Sequence, residues 1–369
     1  MEINIIESEV RKLCFFCKNE DVIKKFNILD APLVLGCTKQ EISNDKLISF
    51  NVFQCTRCEL IFTDADLDEV GYSDVHSEAV GKIWEEHHMM FSRFIDLKKN
   101  IETLEIGPSK NPISRKNTTF VDMFNDVPFV LQESEKYVKS RFPEIELDKK
   151  FNRIVASHVF EHSTDPEQFL KKCLEMLDGD GEIFLSIPNF EFWINNKYWN
   201  GITAEHQIYP SIKQINEICN KNGLNLEFKF FKNHSVFLRI NKSKIENDYN
   251  DRNDINILEW ARSIKNSIKN LEEKITSEGI ESALIVGASH ISQYPILMSD
   301  IIKNITEISL DNSTSKHGMR LYGTTCVCKS FNILKTIEYP TVILFNSPYS
   351  EEIINQIESL NSNSKIIEC

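Results

Sequence analysis

Between residues 101 and 188 short apolar runs alternate with turns and a helical segment, and that alternation limits the fold more than any other feature of the chain. IETLEIG reads as a strand leading into Glu105-Ile106-Gly107, TTFVDM as a second that closes on Asp122, and FNRIVASHV as a third that ends near Ser157. Asp165-Pro166 is a helix start signal, so residues 167–177 read as a helix. Gly179-Asp180-Gly181 then turns the chain into the strand EIFLSIP. Strands interleaved with helices in this way form a mainly parallel sheet, with ligands at the carboxyl ends of the strands near the topological switch point.

Glu-x-Gly after the first strand, an acid closing the second, and the run SHVFEHSTDPEQFLKKCLEML followed by GDGEIFLSIPN resemble a class I S-adenosyl-L-methionine-dependent methyltransferase. The resemblance implies that cofactor and a place for it. Gly107 lets the backbone approach the methionine part without a Cβ in the way. Asp122 is suited to accept both ribose hydroxyls, as acids do at the same place in dinucleotide folds, with Met123 next to it. Glu105 would anchor the cofactor's ammonium or the loop that touches it, and Ser157 and His158 leave the next strand at the cofactor's edge. One departure stands out. The usual glycine-rich loop is replaced by Gly107-Pro108-Ser109-Lys110-Asn111-Pro112, and only 15 positions separate Gly107 from Asp122. The first helix must therefore be short or irregular, as in some methyltransferases of surface-polysaccharide clusters; a lost cofactor site, leaving a binding or scaffold protein, is the alternative.

Of the ten cysteines, four form two Cys-x-x-Cys pairs, Cys14/Cys17 and Cys55/Cys58. The two-residue spacing lets both thiolates of one turn face a single tetrahedral ion, with Zn–S near ~2.3 Å. A redox dithiol or plain core cysteines are the competing readings, but a redox pair is normally single and lies beside a βαβ unit. The expectation is a structural Zn2+ with all four positions taken by protein, worth on the order of 10 kcal/mol of folding energy to a small lobe. Cys173 and Cys219 lie in apolar helical patterns and read as small buried hydrophobes.

Residues 79–99 follow as an amphipathic helix, with Ile83, Trp84, Met90, Phe91, Phe94 and Leu97 at helical spacing. His87 and His88, on the same helix, read as surface or interdomain histidines. Further on, INILEWARSIKNSIKNLEEKIT places Leu258, Ala261, Ile264, Ile268, Leu271 and Ile275 on one helical face, after the polar boundary stretch NDYNDRND. SALIVGAS, EISLDN, TVILFN and KIIEC then read as strands of a second Rossmann-like unit without Gly-x-Gly-x-x-Gly, so a dinucleotide is not expected there.

The order of zinc knuckles, linker helix, methyltransferase core and closing α/β lobe resembles, over nearly the whole chain, the sugar C-methyltransferases that act on nucleotide-linked keto-deoxysugars. The implied fold class is α/β: a class I methyltransferase Rossmann-like core (100–245) between a small zinc-binding lobe (1–78) with its linker helix (79–99) and a C-terminal Rossmann-like lobe (255–369). The family carries Tyr-His-Glu-His and a later Tyr after the core strand. Here Glu205, His206 and Tyr209 match, whereas Thr203 and Ala204 stand in place of the first Tyr and His. By resemblance His206 is the base that removes a proton next to the ketone, Glu205 orients it, Tyr209 stands as the family's later Tyr in the same site, and His162 faces the substrate. A base titrating near neutral pH can contribute ~10²–10⁴-fold. A turn-forming role for His206 and a helix-capping role for His162 are the structural alternatives. The altered Thr203-Ala204 pair leaves open a hydroxyl or amine acceptor on a surface-sugar precursor. The run from Asp311 through Lys316 and Gly318 to Gly323-Thr324 resembles the family's closing lobe, which helps position the sugar nucleotide.

Composition sets the outer bounds. A chain of 369 residues suggests two or three domains, and 41% apolar residues supply their cores. The apolar runs, such as 341–345, are strand-sized rather than the ~18 residues of a membrane span. Forty-two basic against fifty-five acidic residues give a net charge of −13, which argues against phosphate-driven nucleic-acid binding. The N-terminus is acidic and lacks the order of a secretion signal. The expected protein is cytoplasmic, a monomer or homodimer, with a small-molecule partner and neither nucleic acid nor membrane.

Overall fold

A computed structural model describes residues 1–66, 75–76, 81–96, 101–108, 110–123, 127, 129–242 and 255–369. Leu97, Ser109 and the boundary stretch at 247–254 lie outside the described residues. The chain opens with β1 (Glu2–Arg11), β2 (Asp21–Pro32), β3 (Gly36–Thr38), β4 (Leu47–Cys55), β5 (Ile61–Thr63) and β6 (Val75–His76). α1 (Lys82–Ile95) follows, and turns its buried Ile83, His87, Phe91 and Ile95 inward at helical spacing.

The central unit then runs β7 (Thr103–Ile106), β8 (Thr118–Asp122), β9 (Lys136–Lys139), β10 (Phe151–Ser157), α2 (Pro166–Met176), β11 (Leu177–Pro188), α3 (Phe190–Asn195), β12 (Ile208–Tyr209), α4 (Ile212–Lys221), β13 (Asn225–Phe231) and β14 (Ser235–Asn241). Its seven-stranded sheet has the order β13-β14-β11-β10-β7-β8-β9. β7 pairs parallel with β8 and β10, β10 with β11, and β8 with β9, whereas β14 is antiparallel to both neighbours. The four strands read from the sequence are β7, β8, β10 and β11; β9, half-exposed and flanked by charge, had no apolar signature to show it. Asp165 caps α2 by accepting the Gln168 amide at 3.1 Å, with Pro166 in the first turn, as the start signal requires. Between β7 and β8 the described residues form turns and bends and no helix, which is the short connection that the spacing of Gly107 and Asp122 demanded.

The C-terminal part consists of α5 (Ile257–Glu278), β15 (Ala283–Val286), α6 (His290–Met298), α7 (Asp300–Ile305), β16 (Thr306–Leu310), β17 (Arg320–Leu321), β18 (Val327–Lys329), β19 (Thr341–Leu344), α8 (Ser350–Leu360) and β20 (Lys365–Glu368). Ala261, Ile264, Ile268, Leu271 and Ile275 are buried along α5, as its pattern predicts, and Trp260 joins them. Two strand exchanges were not legible in the sequence. β3 and β6 leave the N-terminal region to extend the C-terminal sheet (β20-β19-β15-β16-β18-β17-β3-β6), and β12 of the central unit joins the N-terminal sheet (β1-β2-β4-β5-β12). One continuous core therefore includes Phe26 and Phe50 from the first sheet, Trp199 and Tyr209 from the central unit, and Trp260 and Tyr294 from the last. No helix among the described residues is long and apolar enough to cross a membrane.

Candidate active site

The carboxyl ends of β7, β8 and β10 lie side by side in the sheet. Gly107 follows β7 in the left-handed region (φ 63°), and a Cβ on it would come within 2.6 Å of Val159 Cγ2. Glycine is thus required twice, by backbone and by contact with the loop after β10. Glu105, one strand position earlier on that face, is fully buried and accepts the amides of Ile113 and Ser114 at 2.7 and 2.6 Å. It thereby ties down the loop that leaves Gly107. Burial pushes its carboxyl up to about 7, against the lowering by those two amides. Asp122 ends β8 half-buried and accepts the Met123 amide at 2.7 Å, and Met123 itself is exposed. Ser157 ends β10 opposite Ser186 of β11. His158 then adopts φ 55°, its amide donating to Ser186 O at 2.8 Å. The six residues anticipated around a cofactor thus gather at the tips of three adjacent strands.

Beyond β10 the chain makes one tight turn through Phe160, Glu161 and His162. His162 Nδ1 bonds the Glu205 carbonyl at 2.8 Å, which removes it from helix capping, a task Asp165 performs alone. The rings of His162 and His206 lie 5.0 Å apart, and a nitrogen of each falls with a Glu161 carboxylate oxygen inside a 4.8 Å group. Glu161 has no exposed surface; neither of its oxygens has a hydrogen-bond partner, and His158 Nδ1 lies 3.4 Å from Oε1. His206 is half-buried against Phe190 and Tyr209, at ring separations of 5.4 and 5.9 Å. The Tyr209 hydroxyl donates to Thr203 O at 2.8 Å and accepts the Thr203 amide at 2.9 Å, so it clasps the loop that presents His206. Burial keeps that phenol well above its ordinary value, in its protonated, donating form.

The same loop is held from two sides. Thr63 of β5 donates its hydroxyl to His206 O and its amide to Gln207 O, each at 3.0 Å, and the Gln207 amide donates to Glu161 O at 2.9 Å. Glu161 is the residue that sequence reasoning passed over. Its place between His158 and His162 in SHVFEH was visible; its burial was not.

Three further groups complete the polar interior. Cys14, Cys17, Cys55 and Cys58 bring their sulfurs within 4.8 Å of one another, with Cys14 to Cys58 and Cys17 to Cys55 each at 3.5 Å. All are free thiols, and the Arg57 amide (3.4 Å) and Asn19 Nδ2 (3.7 Å) donate to Cys55 Sγ. Under α1, His87 is fully buried with Nε2 on Ser186 Oγ at 2.8 Å, an interdomain rather than a surface position. His88 is half-buried, its Nδ1 on Trp84 O at 2.8 Å. In the C-terminal part Asp311 accepts the amides of Ala288 and Ser313, each at 2.8 Å, and buried Lys316 donates to Ala288 O at 3.0 Å, so the acid at the tip of β16 braces the Gly287 turn.

Residues 87–227 match the family model of a methyltransferase domain. By this match the central unit is similar to a methyltransferase domain. The matched range spans the strand-tip residues and the Glu161, His162, His206 cluster. No curated protein matches the chain in sequence. Among solved structures, a putative methyltransferase from Bacillus halodurans is 11% identical and has a TM-score of 0.33, over 42% of this chain and 99% of that one. The N-methyltransferase NodS from Bradyrhizobium japonicum, solved with S-adenosyl-L-homocysteine, is 13% identical at a TM-score of 0.34, over 48% and 93%.

Proposed function

We propose that the protein transfers a methyl group from S-adenosyl-L-methionine to the carbon next to the ketone of a nucleotide-linked 4-keto-deoxysugar, at carbon 3, with His206 as the base. The observation that carries this reading is the pairing of two histidines and a buried carboxylate immediately beyond β10, beside a strand tip where glycine alone fits. Three residues suit the cofactor: Gly107 turns the chain at the strand tip where Val159 leaves no room for a Cβ, Asp122 stands at the next strand tip for a ribose, and Glu105 fixes the intervening loop. When bound, the cofactor supplies an electrophilic methyl on a sulfonium. The protein's own work is to take the proton from carbon and keep the enolate oriented. His206, held through its backbone by Thr63 and by the Tyr209 clasp, is placed for the first task. Glu205 and His162 join it through the contact of His162 with the Glu205 carbonyl.

The four thiols support a structural zinc. Their mutual distances are those of a tetrahedral sulfur cage near Zn–S ~2.3 Å, and the N–H donors on Cys55 suit a thiolate. A second reading, methylation of a hydroxyl or amine on the same kind of sugar, draws on Thr203 and Ala204. Thr203 has its backbone committed to Tyr209, so no phenol from this loop is left to steady an enolate oxygen.

Solvent exchange decides between them. Incubated in D2O with a nucleotide-linked ketosugar and S-adenosyl-L-homocysteine, the protein should exchange the substrate's α-hydrogen, and His206→Gln should abolish this while keeping homocysteine-nucleoside affinity within several-fold. Methyl transfer to a sugar nucleotide without α-exchange would establish the O- or N-acceptor instead, and a flat calorimetric titration with S-adenosyl-L-homocysteine would overturn cofactor use altogether.

A further inference from the structure

C-methylation liberates one proton per turnover: a C–H bond breaks, a C–C bond forms, and the base is left as an imidazolium. A base half-buried against Phe190 and Tyr209, and covered on its open side by bound substrate, must discharge that proton before it can act again. Resting on the proposed reading, a line of closely spaced groups that both accept and donate leads away from this cluster. Glu161 lies inside the 4.8 Å group with His162 and His206, a gap short enough for one bridging water. On its far side His158 Nδ1 is 3.4 Å from Glu161 Oε1, and His158 Nε2 is 3.1 Å from Ser235 Oγ. Ser235 Oγ is 2.6 Å from His234 Nδ1, and His234 Nε2 is 3.0 Å from the Tyr349 hydroxyl. Tyr349 lines a cavity of about 120 Å³ that it shares with Gly81, Trp84, Gly287 and Asp311, open between α1 and the C-terminal sheet.

We propose that Glu161, His158, Ser235, His234 and Tyr349 form a proton exit path from the catalytic histidine to this cavity. Four features support it. Glu161 is a buried carboxylate without a hydrogen-bond donor of its own, a costly arrangement for a purely structural residue and a fitting one for a transient proton acceptor. Every later link can hold a proton on either side, so hydrogen bonds that all point outward before a transfer all point inward after it, with no net charge left on the path. Burial, reinforced by the neighbouring His158, holds His234 far below the ordinary histidine range, so it stays neutral and passes a proton on rather than trapping it. Finally, the Trp84 indole packs edge-on against His158 and His234, with ring centroids at 4.9 and 4.5 Å, and covers the middle of the path with an apolar wall.

Ser235 and Tyr349 are the links to remove, because Ser235→Ala and Tyr349→Phe each delete one oxygen and leave the backbone pairing of β14 and the aromatic packing in place. The assay is loss of the α-deuterium of a deuterated nucleotide-linked ketosugar into H2O, with S-adenosyl-L-homocysteine bound so that no methyl transfer occurs. Without an exit path the abstracted deuteron returns to carbon. Each variant should therefore lose deuterium at least tenfold more slowly than wild type, with substrate affinity by calorimetry unchanged and the protein folded at the assay temperature, its melting temperature lowered only by the loss of one buried hydrogen-bonding oxygen. The double variant should be no slower than the slower single one, since links in series do not add. Wild-type exchange rates in both variants would overturn the path and leave His206 as the base. No exchange in the wild type would instead overturn C-methylation, and the path with it.

Discussion

Replacing Gly107 by alanine tests the proposed cofactor site most directly. The new Cβ would start 2.6 Å from Val159 Cγ2, well inside contact distance, on a backbone already at φ 63°. A non-glycine residue in the left-handed region costs ~1–2 kcal/mol, and forcing a methyl into an occupied space costs a further ~1–3 kcal/mol. The sum, about 2–5 kcal/mol, can be met by global destabilisation or by a shift of the Val159 loop, which carries His158 and Glu161. Each ~1.4 kcal/mol that falls on the bound state is a tenfold loss of affinity. Gly107→Ala should thus lower stability to denaturant by several kcal/mol and weaken S-adenosyl-L-homocysteine binding by at least tenfold. Shortening the obstacle separates the two parts: in Gly107→Ala/Val159→Ala the clash disappears and the backbone cost remains. The double variant should regain ~1–3 kcal/mol relative to the sum of the single changes, measured as a coupling energy in a double-mutant cycle. A Gly107→Ala protein within ~0.5 kcal/mol of wild type and with unaltered affinity would refute the account, as would a cycle with no coupling.

Glu105 gives a pH signature: its folded value of about 7 lies above the ordinary carboxyl value of 4.5, so its contribution to stability is complete below about 4.5 and is lost as pH rises through about 7. At ~1.4 kcal/mol per unit the loss is on the order of 3 kcal/mol; Glu105→Gln should flatten the slope of stability between those pH values, and an unchanged slope would show that the carboxyl is not the group responsible. Metal analysis of purified protein should find one zinc per chain. Cys55→Ser should release it and lower the melting temperature, with cofactor affinity within several-fold but α-exchange slowed, because β5 holds His206; a folded, metal-free wild type would end the knuckle reading.

Local sequence showed local chemistry well. The strands β7, β8, β10 and β11 are apolar runs closed by turn residues, α2 announces itself through Asp165-Pro166, and α5 through a six-position apolar stripe; each signal lies within the element it specifies. The residues proposed to hold the cofactor were singled out for the same reason, since a glycine or an acid at a strand tip is read from its immediate neighbours. What escaped depends on contacts far apart in the chain. Nothing near Gly36 or Val75 says that their strands finish a sheet begun beyond residue 283, and nothing near Ile208 says that it pairs with Phe62. The exit path is invisible for the same reason: Glu161, Ser235 and Tyr349 are unremarkable singly and meet only when α1, the hairpin of β13 and β14 and the C-terminal part converge on the end of β10.

Those long-range pairings account for an otherwise puzzling economy. The β10 turn is short and the 203–209 loop has no helix or long strand of its own, yet a base must be held to within fractions of an ångström of its proton. The rigidity is imported. Cys58 O accepts Gln214 Nε2 at 2.7 Å, which ties the second thiol knuckle to the start of α4, and two residues past Leu60 the strand β5 pairs with β12 and carries Thr63 to the backbone of His206 and Gln207. From the other side, Trp260 of α5 donates to Tyr198 O at 2.8 Å and fills the space above Gly201, where a Cβ would sit 2.7 Å from its indole nitrogen. The N-terminal knuckles and the C-terminal helix thus clamp the two ends of one loop whose middle presents His206. A zinc held by the four thiols, far from any reacting atom, would acquire a catalytic consequence through this clamp: it would stiffen β5, β5 fixes the loop, and the loop fixes the imidazole proposed as the base.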